Sequence, residues 1–567
     1  MWLSADRSIA LIVLALAGGA AGCRSLQPCA LHTELPAGPI SWESSLQAAC
    51  GELARGHDLE AAGDERCVDA YFRAAHLSWQ AIAEAGACGC YGEATGCLLL
   101  AAQRFGRLDP ECGLVIHEGG RSDFVPVVHQ GFAWGASDFQ RLHPPPRGHE
   151  PLLSRRYGCQ GWGVPLVVER RRNGGDPLEA RFFPEKAFFG ATAVLRFDEM
   201  TTILEFHNPL AARCLETDAG PLPLAADLTA PLAQTLEEAP RTYFAGFVEP
   251  GRAAATSRLS FLEPYQPGKV PLVLIHGLFS DPLSWADLVN DLRATPGFTD
   301  RYQLWVFRYP TGQGFLQSAA ALRVELAAAA QELDPGCSDQ ALHQMVLIGH
   351  SMGGLIAKLQ VTYSDELIWN RLANRPLEEI ITTESTRARL AEICYFDPSP
   401  DVARVVFIAS PHAGSLRSSE LIGRGVSHLV EPSPQQAAMH EQLMRDNPDT
   451  FNPQVERRFP TSIDMLAPQS PLLAAMQKMR LREGIKLHNI MGVSCPLSLD
   501  GPSDGVVSAR SASHPCCQSV LAVGASHVKV HRSIQTGAEI LRILDYQASA
   551  GPISRRETAP ATAPREF

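Results

Sequence analysis

The chain has 567 residues, more than one compact domain usually holds, so its length indicates two or three domains. Hydrophobic residues make up 45% and charged residues 19% of the sequence, which excludes an extensively disordered chain and a membrane protein with many spans. The 49 basic and 61 acidic residues give a net charge of −12, and no Lys/Arg block with interleaved aromatic residues occurs. A nucleic acid is therefore not an expected partner.

The N-terminus has the pattern of an export signal. An apolar run over residues 9–17 and small residues up to Gly22 lead to Cys23. The run is shorter than the roughly 20 residues that a membrane-spanning helix needs, so residues 1–22 are expected to be removed as a signal peptide. The sequence Ala-Ala-Gly-Cys that ends at Cys23 resembles a bacterial lipobox, which implies a lipid on Cys23 as the mature N-terminus.

This signal places the protein outside the cytoplasm. Arg24 follows the cysteine, which by resemblance to Gram-negative lipoproteins implies passage to the outer membrane, with the lipid as the membrane anchor. The alternative is cleavage by a conventional signal peptidase, with Cys23 forming a disulfide. The protein is exported under both interpretations.

The cysteine count favours disulfide bonds. Without Cys23, 14 of the 15 cysteines remain, an even number, and many of them lie between Cys50 and Cys112. Neither the Cys-Gly-Cys sequence that ends at Cys90 nor the pair that ends at Cys517 has the paired Cys/His spacing of a zinc site. We therefore expect structural disulfides and no metal in the oxidising exterior.

The first half of the chain divides into two regions of different pattern. In residues 24–112, apolar and small residues recur at helical spacing over 44–105, which predicts a helical hairpin. In residues 113–255, short β-favouring runs such as 125–128 and 164–168 are interrupted by Pro and Gly, which predicts a β-rich accessory domain. Neither region contains a catalytic pattern.

The third region, residues 256–548, alternates apolar strands with helices, and a disordered tail is predicted over 549–567. Continuous apolar runs are typical of strands that are covered on both faces of a parallel sheet. Strand and helix repetition predicts an α/β sheet. The predicted elements include strands 270–275, 302–307 and 345–348 and a helix over 319–333.

A nucleophile elbow follows the strand at 345–348. The sequence reads Gly349, His350, Ser351, Met352, Gly353 and continues into a helix-like segment. Side chains at the two glycine positions would collide with neighbouring backbone in the tight turn that presents the serine hydroxyl. The start of the following helix also favours negative charge that develops beside this hydroxyl.

An acid and a base follow the nucleophile in the chain order that this strand and helix arrangement requires. Asp504 lies in the sequence Ser-Asp-Gly-Val-Val, and His527 follows 23 residues later. We expect His527 to accept the proton of Ser351 and Asp504 to orient the imidazole. His531 is the alternative base, and the alternative acids are Asp464 and Asp500. Three other histidines adjoin strand ends and are expected to be architectural: His276, His350 and His412.

Two backbone amides are candidates for the oxyanion hole. Met352 supplies one amide because it follows the nucleophile, and Leu278 supplies the other from the loop after the first strand of the α/β region. Phe279 is the neighbouring alternative to Leu278. Both assignments depend on chain position alone.

Four motifs together carry a family resemblance. They are Leu-Ile-His-Gly at 274–277, Gly-His-Ser-Met-Gly-Gly at 349–354, Phe-Ile-Ala-Ser-Pro-His-Ala-Gly-Ser at 407–415 and Ser-Asp-Gly-Val-Val at 503–507. With this order they resemble bacterial lipases and the related GPI inositol-deacylase-like serine esterases of the α/β-hydrolase superfamily. The resemblance covers residues 265–548 and implies an α/β-hydrolase fold, in which a mostly parallel sheet carries helices on both faces.

The resemblance also implies an activity. It implies hydrolysis of a carboxylic ester or lipid substrate without a cofactor, and a mobile cap, which we place over residues 415–471. An acyltransferase or peptidase would use the same residues with another acceptor or substrate. A catalytically inactive lipoprotein that binds envelope components is the alternative from another class, and the intact set of nucleophile, acid and base argues against it.

Overall fold

The computed structural model describes residues 41–85, 89–118, 120–146, 153–197, 201–217, 220–239, 257–415, 434–457, 460–468, 470–495 and 501–549. The predicted signal peptide, Cys23, Asp500 and residues 550–567 lie outside this part of the chain. Among the residues that it describes, no helix is both long and apolar enough to cross a membrane.

The described part of the chain before the first strand contains three helices rather than the predicted hairpin. Gly63, with a φ of 72°, lies in the turn after the first helix. The third helix is rich in glycine and weak in propensity, and it forms because the β-rich region packs against it: a Cβ added at Gly96 would lie 3.2 Å from Val164. The helices are α1 (Ser41–Ala61), α2 (Cys67–Ala85) and α3 (Gly89–Arg104).

The β-rich region contains a seven-stranded sheet of order β1-β2-β3-β8-β7-β6-β4. Its pairs are antiparallel apart from the β3 and β8 pair. Its elements are β1 (Leu108–Asp109), β2 (Gly113–Glu118), β3 (Arg121–Gln130), β4 (Arg141–His143), β5 (Gly158–Cys159), β6 (Val164–Arg171), α4 (Pro177–Phe182), β7 (Lys186–Phe197), β8 (Thr202–His207), β9 (Cys214–Thr217), β10 (Gly220–Pro223), β11 (Ala226–Asp227) and α5 (Ala230–Glu238).

One buried tyrosine ties the helices to this sheet. The Tyr91 hydroxyl of α3 donates to the carbonyl oxygen of Leu195 and accepts from its amide, both at 2.8 Å. Both Leu195 groups lie on β7, and Tyr91 is fully buried. The helices and the sheet therefore share one core in which the polar groups of this contact are satisfied.

The C-terminal domain, residues 257–549, is built around a second seven-stranded sheet. Its order is β12-β14-β13-β15-β16-β17-β18, and only β12 runs antiparallel to its neighbour. Its strands and helices are β12 (Arg258–Phe261), β13 (Val270–Ile275), α6 (Ala286–Ala294), α7 (Phe298–Arg301), β14 (Tyr302–Arg308), α8 (Phe315–Leu333), β15 (Met345–His350), α9 (Met352–Lys358), α10 (Trp369–Leu372), α11 (Glu384–Cys394), β16 (Val402–Ile408), α12 (Pro434–Asp446), α13 (Pro453–Arg457), α14 (Ser462–Met465), α15 (Pro471–Lys478), β17 (Lys486–Gly492), α16 (Ala509–Ala512), β18 (Ser519–Val523) and α17 (Ile534–Ser549).

The central strands divide their side chains between two apolar cores. In β13, Val273 and Ile275 face one core together with residues of α8 and α9, while Leu272 and Leu274 face the other with residues of α6 and α17. This alternation explains why the strand is apolar at every position, as a sheet with helices on both faces requires. Four loops that follow the parallel strands carry Gly277, Ser351, Asp504 and His527, so they meet at one edge of the sheet.

The two regions pack directly on each other. The ring of Phe182 from α4 stacks on Phe261 of β12 with 4.5 Å between ring centroids, and Phe261 stacks on Trp305 of β14 at 4.3 Å. All three side chains are buried. Phe182, Phe261 and Trp305 are therefore core residues that join the β-rich region to the C-terminal domain.

The prediction of disulfide bonds differs from the structure. Twelve cysteines fall within the described part of the chain, and no disulfide bond joins two of them. Cys50 and Cys90 lie close, but 3.7 Å separates their sulfur atoms, whereas a disulfide bond is about 2 Å long. An even cysteine count gives no information on distance in the fold, so it could not show which thiols approach each other.

Candidate active site

Ser351 occupies a strained turn between β15 and α9. Its φ of 54° and ψ of −122° lie in a region that residues with a side chain rarely adopt. The strand before it and the helix after it fix this backbone, and Ser351 is 8% exposed. The turn places the hydroxyl at the carboxyl edge of the sheet, directly before the first amide of the helix.

Steric crowding explains why the elbow has glycine on each side of Ser351. A Cβ at Gly349 would lie 2.5 Å from the carbonyl carbon of Gly353. A Cβ at Gly353 would lie 2.5 Å from the carbonyl oxygen of His276 and would overlap that of Ile275. Helix α9 therefore approaches the ends of β13 and β15 as closely as backbone atoms allow, and only glycine fits at both positions.

Ser351, His527 and Asp504 form one hydrogen-bonded chain. His527 Nδ1 lies 2.7 Å from Asp504 Oδ2, and His527 Nε2 lies 2.9 Å from Ser351 Oγ. A carboxylate only accepts hydrogen bonds, so Nδ1–H donates to Asp504, and Nε2 of the neutral ring accepts from the serine hydroxyl. This is the arrangement in which an imidazole can remove the hydroxyl proton.

The loop around Asp504 holds its carboxylate in place. Oδ1 accepts hydrogen bonds from the amides of Val506 at 2.9 Å and Val507 at 2.7 Å, which leaves Oδ2 for the imidazole. The His527 amide also donates to the Asp504 carbonyl oxygen at 3.0 Å. Both residues are thus connected through backbone and side chain, and the Asp504 side chain is 1% exposed.

The alternative acid and base that the structure describes lie elsewhere. The Asp464 carboxylate accepts from the Thr461 amide at 2.9 Å and the Thr461 hydroxyl at 2.8 Å, as a helix-capping group. The His531 Nε2–H donates to the carbonyl oxygen of Ser284 at 3.1 Å. Neither side chain takes part in the hydrogen-bonded chain at Ser351, and Asp500 lies outside the described residues.

The loop after β13 lies against the elbow, where an oxyanion hole would form. A Cβ added at Gly277 would stand 3.0 Å from Ser351 Cβ, and Phe279 has a φ of 54°, which marks a sharp bend. Leu278 lies between these two residues, and Met352 is the first residue of α9. The predicted donors Leu278 and Met352 therefore both belong to backbone that borders the Ser351 side chain.

Two residues that sequence reasoning did not select support this loop. The Tyr309 hydroxyl donates to the His276 carbonyl oxygen at 2.6 Å, and its ring stacks on the His276 imidazole at 4.3 Å between centroids. The Trp285 ring packs edge-on against His531 at 5.3 Å. Tyr309 could have been noticed from its position directly after β14, whereas nothing in the sequence marks Trp285.

Three buried imidazoles near the site are held neutral. Burial lowers the pKa of His276 to about 4, and burial with the adjacent Arg532 lowers the pKa of His531 to about 3. Burial, together with His531 and His527, holds the pKa of His350 well below its usual value. The neutral His350 ring donates from Nε2 to the His527 carbonyl oxygen at 3.0 Å, so it braces the loop of the base.

His412, the third histidine that the sequence placed at a strand end, lies in a different group of side chains. His412 is buried beside Phe407, with 4.6 Å between ring centroids, and beside His514 at 5.0 Å. In the described part of the chain, no group of three or more His, Cys, Asp or Glu residues could hold a metal ion.

Comparison with known proteins assigns the domain that carries this site. Residues 272–532 match the model of the Alpha/beta hydrolase family. This part of the chain has the α/β-hydrolase fold. The match confirms the fold class that the sequence predicts, in which a helical segment and a β-rich region precede the hydrolase domain. No curated protein matches the chain in sequence.

Several solved structures resemble about half of the chain at low identity. The Bacillus licheniformis lipase BlEst2 in its mature form is 14% identical, over 49% of this chain and 93% of its own, with a TM-score of 0.30. The Staphylococcus hyicus lipase is 15% identical, over 51% of this chain and 96% of its own, with a TM-score of 0.31. A metagenomic carboxyl esterase is 18% identical, over 50% of this chain and 77% of its own, with a TM-score of 0.28.

The crowded elbow predicts that Gly353→Ala destabilises the protein. The added methyl group overlaps backbone carbonyls of the hydrolase domain, so we expect a loss of about 2 kcal/mol or more in unfolding free energy, measured by urea denaturation. Gly336→Ala is the matched control, because its Cβ would meet nothing within 4 Å, and it should change stability by less than about 0.5 kcal/mol. Equal stability of the two variants would contradict the packing described for α9.

The buried imidazoles predict a loss of stability in acid. Burial and the neighbouring Arg404 and Arg542 lower the pKa of His488 to about 4. An unfolded histidine titrates near 6.5, so between these two values the unfolded chain binds more protons and stability falls as the pH falls. His488→Gln removes this proton uptake. Its urea midpoint should therefore fall less than that of the wild type between pH 6.5 and 4.5, and identical slopes would contradict the prediction.

Proposed function

We propose that the protein is a serine hydrolase that cleaves carboxylic esters through an acyl-enzyme on Ser351. The observation that carries the proposal is the continuous hydrogen-bonded chain from Ser351 Oγ through His527 to Asp504, with distances of 2.9 and 2.7 Å. Its place at the carboxyl edge of an α/β-hydrolase sheet, at a strained elbow, supports the same function.

The first half of the proposed reaction forms the acyl-enzyme. His527 Nε2 removes the Ser351 proton while Oγ attacks the ester carbonyl carbon. The carbonyl oxygen gains negative charge. The backbone amides of Leu278 and Met352 stabilise this charge by donating hydrogen bonds to the oxygen. The imidazolium then returns the proton to the leaving alcohol as the ester bond breaks, and Asp504 stabilises the positive ring throughout.

The second half of the reaction releases the acid. Water enters beside His527, which removes a proton as the water oxygen attacks the acyl carbonyl carbon. The collapse of the second tetrahedral intermediate breaks the bond to Ser351 Oγ, which recovers its proton from the imidazolium. No cofactor is needed in this scheme, because every proton is exchanged between Ser351, His527, the alcohol and water.

The substrate in this proposal is an ester or a lipid whose acyl chain enters beneath a cap formed by residues 415–471. The described parts of this segment include α12, α13 and α14. The two ends of the segment meet, since the Ser415 amide donates to the Leu466 carbonyl oxygen at 3.2 Å. Its base contacts the rest of the hydrolase domain, since the Ser415 hydroxyl donates to the Val506 carbonyl oxygen at 2.6 Å. The second contact lies two residues from Asp504, so the segment borders the site.

The proposal predicts that a fluorophosphonate labels the protein at Ser351. Purified protein should hydrolyse a short-chain aryl ester and lose this activity as labelling proceeds. Ser351→Ala should abolish both, and His527→Ala should lower turnover by roughly 10⁴ or more, because the hydroxyl then keeps its proton. The double variant that combines Ser351→Ala with His527→Ala should be hardly slower than either single variant. Labelling that persists in Ser351→Ala would refute the proposal.

The acid offers a matched pair of variants within the same experiment. Asp504→Asn should lower turnover by roughly 10⁴, because an amide can stabilise the wrong imidazole tautomer. Asp464→Asn, which alters a capping group without contact to His527, should stay within about threefold of wild type. Circular dichroism shows whether both variants fold. The opposite ranking of the two folded variants would assign the acid to Asp464.

We propose further that a lipid on Cys23 anchors the exported protein to the bacterial outer membrane, on its periplasmic or surface side. The proposal is supported by the apolar run over residues 9–17, the small residues before Cys23, and Arg24 after it. A lipid anchor would hold the hydrolase domain beside a surface rich in lipid esters.

The anchor predicts membrane partition that depends on one thiol. The protein expressed from its full sequence should sediment with membranes and incorporate a radiolabelled fatty acid. Cys23→Ser, combined with a conventional signal-peptidase site, should be exported without label and remain soluble. Arg24→Asp is a useful companion variant, because it should keep the fatty acid and change only the membrane in which the protein resides. Unprocessed, unlabelled protein in the cytoplasm would exclude the anchor.

A further inference from the structure

A short segment of the β-rich region lies against the hydrolase domain close to the base. We refer to residues 154–157 as the clamp segment. The Ser154 amide and hydroxyl both donate to the Asp287 carboxylate, at 2.7 and 3.0 Å. Asp287 lies in the first turn of α6, and its side chain is 0% exposed. A fully buried carboxylate needs hydrogen-bond donors, so the contact with Ser154 helps to fix the position of α6.

Arg155 extends the contact to a second carboxylate of the same helix. Its Nε donates to Asp291 Oδ1 at 2.6 Å, and a terminal nitrogen of its guanidinium pairs with Oδ2 in a bidentate arrangement. The Tyr157 hydroxyl also donates to Asp291 Oδ1, at 2.9 Å. The Arg155 carbonyl oxygen accepts from the Asn290 amide side chain at 2.8 Å. Three residues of α6, Asp287, Asn290 and Asp291, therefore contact this segment.

The same contacts reach the loop that carries the base. Arg532 Nε donates to Asp287 Oδ2 at 2.6 Å, and the Arg155 guanidinium donates to the Arg532 carbonyl oxygen at 3.2 Å. Arg532 is five residues beyond His527 and directly follows His531. The clamp segment therefore touches both α6, which follows the loop of Leu278, and the end of the loop that holds His527.

A continuous set of contacts connects Arg532 with the catalytic group. His531 donates to the Ser284 carbonyl oxygen at 3.1 Å, and its ring lies 4.1 Å from the His350 ring between centroids. His350 donates to the His527 carbonyl oxygen at 3.0 Å. These groups are buried, so a shift of Arg532 would have to move the imidazoles that brace His527.

We propose that the clamp segment positions the catalytic base and the oxyanion loop, which makes the β-rich region part of the catalytic unit. Ser154 and Arg155 are positioning residues, since they act on Ser351 through α6 and the His527 loop. The proposal rests on the function proposed above. The carboxylates of Asp287 and Asp291 lie one turn apart on α6 and repel each other. Arg155 of the β-rich region and Arg532 at the end of the His527 loop neutralise them. The positions of the clamp segment and of the His527 loop therefore depend on each other.

The structure supplies a matched control for this proposal. Arg181, also in the β-rich region, pairs with Glu325 at 3.3 Å and with Glu332, both on α8. Helix α8 starts at the edge of the sheet that carries the site and runs back toward the opposite edge, so these glutamates lie away from the catalytic loops. Arg155 and Arg181 have similar side-chain exposures, 24% and 34%, and each bridges the same two parts of the chain.

The test compares Arg155→Ala with Arg181→Ala in the full protein. We expect Arg155→Ala to lower kcat for an aryl ester and the rate of fluorophosphonate labelling by about tenfold, with KM changed by less than about threefold. Arg181→Ala should keep both rates within about twofold. Arg155→Lys should recover part of the rate, because an ammonium can pair with Asp291 but cannot also reach the Arg532 carbonyl in the same fork geometry.

Hydrogen exchange measures how firmly the clamp segment holds the loops, independently of enzymatic activity. Amides of residues 276–292 and 524–533 should exchange faster in Arg155→Ala than in the wild type, and they should not change in Arg181→Ala. Ser154→Ala, at an exposed position, provides a variant that folds if Arg155→Ala does not, and it should show a smaller effect of the same kind. Equal effects of Arg155→Ala and Arg181→Ala on kcat and exchange, or no effect of either, would overturn the proposal. A wild-type protein that is unlabelled and inactive would instead refute the proposed function, while the exchange data would still decide whether the segment holds the loops.

Discussion

The strained backbone at Ser351 is the constraint on which the rest of the site depends. A residue with a side chain at a φ of 54° is stable only where its surroundings allow no other conformation. Here β15 ends and α9 begins within one residue, and the backbone of α9 touches the carbonyls of β13 through Gly353. The strain is maintained by packing of the whole sheet edge, so the hydroxyl is presented in one orientation toward His527.

The environment of His527 combines one carboxylate with neutral rings. Asp504 is buried and receives two backbone amides, which keeps its second oxygen directed at the imidazole. The adjacent His350 and His531 have pKa values depressed chiefly by burial, so near neutral pH they contribute dipoles and packing rather than positive charge. In the reaction that we propose, Asp504 is therefore the group that compensates the positive charge that His527 acquires during proton transfer.

Short-range sequence patterns predicted much of the fold and missed what depends on contacts between distant segments. The apolar runs of β13, β14 and β15 identified a sheet covered on both faces, because burial requires that composition at every position. The glycine-rich α3 was not predicted as a separate helix, because its stability comes from packing against the β-rich region rather than from propensity. Disulfides inferred from cysteine number were wrong for the described thiols, since counting cannot reveal separation in space.

Local sequence patterns predicted an elbow around Ser351, followed by a candidate acid and a candidate base in a fixed order, because the steric rules of a tight turn impose a recognisable spacing of glycines. The tertiary structure shows that His527, and not His531, reaches Ser351 Oγ, although both histidines follow the same strand. The tertiary structure also shows that Ser154 and Arg155 contact α6 and that Arg155 contacts Arg532 at the end of the His527 loop. Those contacts join residues more than 130 positions apart, and no local pattern in a sequence records the partner of a charged side chain once the chain has folded.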